Sequence, residues 1–201
     1  CSGLVGSEMC IRDRFITDES QERVIRGNIW RCAEHIAALS DRTGKALHLG
    51  LEPEPLGYFE TSAETVQFFD RLRTEHSNDS KLTEHLGVNY DTCHLAVEYE
   101  EPEVALRALR EAGIRISKLH LSAALIVRPD EATRARLKPF EEDVYLHQVV
   151  ERLPDGSLNR HRDLNVALAT HNPAEEWRIH FHIPLHSPDG DWFDSTRGHI
   201  D

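Results

Sequence analysis

Two hydrophobic periods alternate along this chain, and few architectures accept both. In Lys45 to Pro53, Leu47, Leu49 and Leu51 share one face of an extended segment, while His48, Gly50 and Glu52 share the other. The same two-residue alternation returns twice. In Ile114 to Ser122 it sets Leu119 and Leu121 against Lys118, His120 and Ser122, and in Trp177 to Ile183 it sets Ile179, Phe181 and Ile183 against Arg178, His180 and His182. Val88 to Asp91 reads as a further short strand. Between these lie segments of helical period. From Thr17 onward, Ile25, Ile29, Cys32, Ile36 and Leu39 mark one stripe, with Asp18 as cap and Gly44 as stop. Thr61 and Glu64 form a capping box before Val66, Phe69 and Leu72, and Pro102 opens a helix that reaches Ala112 and stops at Gly113.

Strands alternating with helices imply a parallel sheet with right-handed crossovers. Either an open doubly wound sheet or a closed barrel would satisfy that. No glycine-rich phosphate loop follows any strand, whereas polar groups recur at strand carboxyl ends, where a barrel keeps its chemistry. The expectation is therefore an α/β fold, a partial (β/α)8 TIM barrel. A whole barrel takes about 250 residues, and only four barrel strands are visible, so the barrel is expected to be truncated at both ends. Val144 to Val150 and Ser157 to Arg162 flank Pro154, Asp155 and Gly156, the signature of a β-hairpin inserted at about 144–162, over the barrel mouth. A short helix is expected from Asp163 to Thr170. One domain over 15–186 and a tail over 187–201 complete the expected organisation. Cys1 to Arg14 resembles translated sequencing-adapter DNA and is set aside.

Composition narrows the partners. With 35 acidic against 23 basic residues the net charge is -12, a sign that repels phosphate backbones, so no nucleic-acid partner is expected. No run approaches the ~18 apolar residues of a membrane helix, and the chain is not expected to be membrane-embedded. Cys1, Cys10, Cys32 and Cys93 form no CxxC pair, which suggests free thiols in the cytoplasm. Cys93 reads better as a small buried thiol than as a nucleophile.

Glu52 ends the first strand in LEPEP, Asp91 ends the second in NYDTCH, and His120 lies near the end of the third in KLHLS. A strand-end Glu can equally cap a helix, and a buried His can simply bond a carbonyl. Three such residues in strand order are harder to attribute to chance. Carboxylate and imidazole together suit a divalent metal ion such as Mn, Mg, Co or Zn. His94, three residues after Asp91, is a candidate for substrate contact or a second metal ligand. The pair His180 and His182 is suited either to a metal or to sugar hydroxyls. His147 and Lys118 are weaker candidates for substrate binding, for which a solvated role is the simpler reading.

The motifs LEPEP, VNYDTCH and KLHLS, in this order, resemble the strand ends of the xylose isomerase-like superfamily, which includes sugar epimerases and abasic-site nucleases of the endonuclease IV type. The resemblance implies Glu52, Asp91 and His120 as metal ligands, Glu52 as catalytic acid or base, and His94 as substrate contact. It also implies a late Glu ligand, for which nothing before Asp201 is a counterpart. The nuclease pattern would need an Asp-Arg-His segment, and Asn159-Arg160-His161 departs from it. The longer stretches GLEPEPLGYFET, GVNYDTCHLAVEYEEP, VYLHQVV and WRIHFHIPL are similar to the EboE family, associated with metabolite traffic. The function thus implied is handling of a sugar-like or small polar metabolite; the alternatives are a metal-dependent isomerase or epimerase, and a zinc phosphodiesterase. Unpaired strand edges in a partial barrel imply a homo-oligomer.

Overall fold

The computed structural model describes residues 18–142 and 145–200. Cys1 to Arg14 lies outside them, as does Val144, the expected first residue of the hairpin. The chain is α/β and divides into two compact units: one contains the residues up to Asp91 together with Glu103–His120, the other Thr92–Pro102 and the residues from Leu121 onward.

The first unit opens with α1 (Glu19–Thr43). Asp18 caps it by accepting from the Ser20 amide, and Gly44, left-handed at φ 66, ends it. Buried Arg26 holds α1 to α2 (Ser62–Glu75) through Glu75, while Glu19 and Glu22 share its charge. The capping box forms as expected: the Thr61 side chain accepts from the Glu64 amide, and the Glu64 carboxylate accepts from the Thr61 amide. Phe68, Phe69 and Leu72 are the buried face of α2. A short α3 (Lys81–His85) precedes the second strand.

The strands β1 (Leu49–Leu51), β2 (Leu86–Asp91) and β3 (Arg115–His120) form a parallel sheet in that order. β1 is shorter than the alternation suggests. The Leu47 carbonyl is 2.8 Å from His85 Nδ1 and so meets a side chain where a ladder partner would be. The sheet is sharply curled. Strands two apart in a flat sheet are separated by about 9.5 Å, yet a Cβ added to Gly50 on β1 would lie 2.9 Å from the Ser117 Cβ on β3. A Cβ on Gly87 would overlap the Ser117 hydroxyl. Glycine at these two positions is what lets the outer strands fold toward each other, and a bulge between Val88 and Asn89 adds to the bend. The helix α5 (Pro102–Glu111) leads into β3, and Arg73 from α2 donates to the Ala112 and Gly113 carbonyls behind it.

The second unit is built differently. Its five strands run β6-β5-β7-β4-β8, all antiparallel: β4 (Ala123–Val127), β5 (Val149–Arg152), β6 (Leu158–His161), β7 (Glu176–Ile183) and β8 (Asp194–Ser195). Three expectations change here. The run from Ile114 to Ser122 is not one strand continuing past His120, because both backbone polar groups of Ser122 are bonded to the Thr92 hydroxyl instead of a ladder. Trp177 to Ile183 is not a fourth parallel strand, since β7 pairs antiparallel with both β5 and β4. The hairpin β5–β6 is no isolated insertion, because its ladder continues through β5 into β7. Among the described residues the strands form two open sheets and no closed barrel.

One face of β7 presents Trp177 and Ile179 to Leu125, Val127, Leu137, Val149, Leu164 and Ala167, joining the strands to α6 (Glu131–Leu137) and α7 (Leu164–Leu168). The other face meets α4 (Thr92–Val97), whose Cys93 and Val97 pack with Ala124 and Val150. Arg178 fixes α4 there by donating to the Ala96 carbonyl at 2.6 Å. No described helix is long and apolar enough to cross a membrane.

Candidate metal site

In a curled parallel sheet, residues on the concave face at the strand carboxyl ends converge. Glu52 directly follows β1, two residues after Gly50; Asp91 ends β2, and His120 lies beside it in register at the end of β3. One ligand atom from each of Glu52, Asp91 and His120 lies within 4.8 Å of the others. His120 Nδ1 is 2.5 Å from Asp91 Oδ2. Asp91 is fully buried, Glu52 is half-buried and His120 is exposed, so the group is anchored at its base and open above.

Electrostatics sets this group apart from an ordinary ion pair. Burial raises the Glu52 carboxyl above its usual value, and the nearby charge of Asp91 adds to the rise; the Asn89 amide, donating to Glu52 Oε2 at 2.6 Å, opposes it, as do His120 and Lys118. Two carboxylates thus share a partly buried pocket. That donor set fits a dication, which would relieve their repulsion and take oxygen and nitrogen ligands at once. Lys118 is placed opposite Asn89 on the same face, exposed but within electrostatic reach of Glu52.

Asn89 escaped sequence reasoning. Its signal was available, because it lies two residues before Asp91 and so shares its face. Its Oδ1 is buried with no hydrogen-bond partner, a further polar atom left for a ligand.

The remaining candidates belong to the second unit. His180 and His182 share a face of β7, with Nε2 atoms 3.0 Å apart, and His94 Nε2 from α4 is 3.4 Å from that of His182. His147 is not brought to them. Its ring packs on Phe181, the residue between the pair and on the opposite face, with centroids 4.2 Å apart. Burial lowers its pKa, with Glu142 and Asp163 opposing, so His147 is a wall of the apolar side. The Asn159-Arg160-His161 run is committed to structure: Asn159 donates to Glu151, His161 Nε2 is 3.2 Å from Glu151 Oε1, and Arg160 pairs with buried Glu98. Gln148, 2.6 Å from His180 Nδ1, Ser122, 2.9 Å from His182 Nδ1, and Glu151 were missed, because these contacts join residues far apart in the chain and no local pattern specifies them. A cleft of about 880 Å3 opens elsewhere in this unit, lined by Arg128, Asp130, Arg136, Arg152, Trp192 and Phe193 among others, and contains none of the candidates.

No protein-family model, no curated protein and no solved structure matches this chain.

Proposed function

We propose that Glu52, Asp91 and His120 hold a divalent metal ion, and that the chain handles a sugar-like or small polar metabolite as part of a xylose isomerase-like TIM barrel. The observation that carries this reading is the convergence of the three side chains from the ends of three neighbouring parallel strands. The sharp curl at Gly50 and Gly87 supports the barrel, because a wall of closely approaching parallel strands needs such curvature. The motif similarity to the EboE family supports a small polar metabolite as the ligand.

Three protein donors leave coordination positions for oxygens of a bound molecule. A metal there supplies Lewis-acid polarisation of a carbonyl or hydroxyl oxygen. Glu52 would hold or move the proton at an adjacent carbon, a role suited to a carboxyl whose pKa burial raises above its usual value. Asn89 orients Glu52 by its hydrogen bond, and Asp91 fixes the His120 ring. Lys118, exposed on the same face, is placed to meet a polar group of the ligand.

Elemental analysis of the purified chain after dialysis against Mn, Co or Zn tests the site. The expected result is one equivalent of metal fewer in Asp91→Asn and in His120→Ala than in the unmodified chain; an unchanged metal content ends the reading. Incubation of a sugar panel in deuterated water then separates catalysis from simple binding. Solvent deuterium incorporated beside the carbonyl, and abolished by Glu52→Gln, identifies an isomerase or epimerase. Saturable binding without exchange identifies a handling protein.

A further inference from the structure

The face of β7 that meets α4 carries a second cluster of metal-ligating side chains, distinct in chemistry from the carboxylate group. We propose that Cys93, His180 and His182 form a thiolate–imidazole site for a zinc-like ion within the second unit.

The geometry comes from simple periodicities. Alternation along β7 puts His180 and His182 on one face, and one ligand atom from each lies within 4.8 Å of the other and of the Cys93 sulfur. Two imidazole nitrogens on a tetrahedral zinc lie about 3.3 Å apart, given zinc–nitrogen bonds of about 2.05 Å. Here the Nε2 atoms are 3.0 Å apart. Both rings are also held from behind. His180 Nδ1 is 2.6 Å from Gln148 Oε1, and since that oxygen only accepts, Nδ1 carries the proton and Nε2 presents a lone pair. His182 Nδ1 is 2.9 Å from Ser122 Oγ. Such outer contacts on the second ring nitrogen are what metal-bound histidines require.

Without metal, the close Nε2 pair is satisfied by a proton on His182 Nε2 donated to His180. A cation takes the place of that proton. His182 then carries its proton on Nδ1, donating to the Ser122 hydroxyl, and the Cys93 thiol proton passes to solvent as the sulfur–metal bond forms, so one proton is released per ion bound. Cys93 is fully buried, with its sulfur donating to the Phe181 carbonyl at 3.5 Å. His94, 3.4 Å from His182, supplies a further nitrogen beside the pair. A donor set of one thiolate and two imidazoles selects zinc, cobalt or copper over magnesium and calcium.

Cobalt titration of the full chain carrying Glu52→Gln and His120→Ala, which removes the first group, is the direct test. Stoichiometric cobalt binding is expected, with visible d–d bands and a near-ultraviolet sulfur-to-cobalt charge-transfer band. Cys93→Ser should abolish the charge-transfer band, and His180→Ala and His182→Ala should weaken cobalt binding by more than ~10-fold. His182 is exposed, so His182→Ala is expected to leave near-ultraviolet circular dichroism unchanged and to report on binding alone. Absence of cobalt binding, a charge-transfer band that survives Cys93→Ser, or undiminished affinity in His182→Ala overturns the proposal. Failure of the carboxylate group leaves this result untouched, because two of its three ligands are already replaced.

Discussion

Glu52 in the first unit and Glu151 in the second are both withdrawn from water, and their surroundings treat them in opposite ways. Glu151 is fully buried on the core face of β5, where the ladder sets Asn159 on one side and Trp177 on the other. Burial alone would raise its carboxyl, but hydrogen bonds from Asn159 and Asn172 and the approach of His161 outweigh that and hold it below the usual range. Trp177 Nε1 also donates to it, at 3.1 Å. At Glu52, burial and the neighbouring Asp91 outweigh the Asn89 amide, His120 and Lys118, and its carboxyl is raised. A buried charge held below its usual range by hydrogen bonds belongs to the architecture, whereas one raised beside a like charge is a candidate for binding a ligand.

The largest expected effect breaks the architectural side. Glu151→Leu leaves the Asn159, Asn172 and Trp177 donors without their acceptor inside the core, and a loss of about 3–5 kcal/mol is expected in urea denaturation. Glu151→Gln should cost less and should flatten the acid limb of stability. The sign follows from the lowered pKa: the stabilisation is present above the unfolded value of 4.5 and is lost as pH falls through the lower folded value. A wild-type acid limb identical to that of Glu151→Gln would show that Glu151 does not stabilise the fold.

Second in size is the curl of the parallel sheet. Gly87→Ala forces a methyl group against the Ser117 hydroxyl and the Arg115 carbonyl, which is backbone and cannot swing away. Overpacking of this kind costs about 1–3 kcal/mol. Because the same curvature aims Glu52, Asp91 and His120 at one point, metal retention should fall along with stability. Lost stability with intact metal binding would uncouple the curl from the site.

How much of this was legible in the sequence depended on how local each signal was. The caps at Asp18, Gly44 and Thr61 are decided within one helical turn, and each appears where the residues place it. Glu52, Asp91 and His120 were found because parallel strands deliver one group each at the same end, a rule that needs only strand order. The period of Trp177 to Ile183 reveals faces but not the direction of a partner, so antiparallel pairing of β7 was out of reach. Ala123 to Val127 is a continuous apolar run with no alternation, and its sequence merges with the strand before it. Gln148 and Glu151 acquire their roles only across the ladder, from residues far away in the chain.

Glu52→Gln sharpens the comparison from the site side, with a smaller effect. A raised carboxyl binds its proton more readily in the folded chain than in the unfolded one. Its contribution is therefore most favourable below the unfolded value of 4.5 and declines as pH rises through the folded value. In metal-free protein near neutral pH, Glu52→Gln should melt slightly higher than wild type, and the gap should close on acidification. Added metal should reverse the order, by stabilising wild type more than Glu52→Gln through mass action. Equal melting temperatures in both states would remove Glu52 from the site.

The smallest effect separates Lys118 from its neighbours. Its charge lowers the Glu52 carboxyl, but it is the last of the causes acting there and its side chain is exposed. Lys118→Met should raise the Glu52 pKa slightly at low ionic strength, followed by the carbon chemical shift of the carboxyl. An interaction across solvent is screened at a Debye length of about 3 Å in 1 M salt, so the difference between the two proteins should vanish there. The Asp91 contribution acts within the buried pocket and should persist at the same salt. If high salt erases both, Glu52 is as solvated as a surface carboxylate and its contrast with Glu151 disappears; if only the Lys118 part is lost, the pocket is dry enough for a cation to be held by Glu52 and Asp91 together.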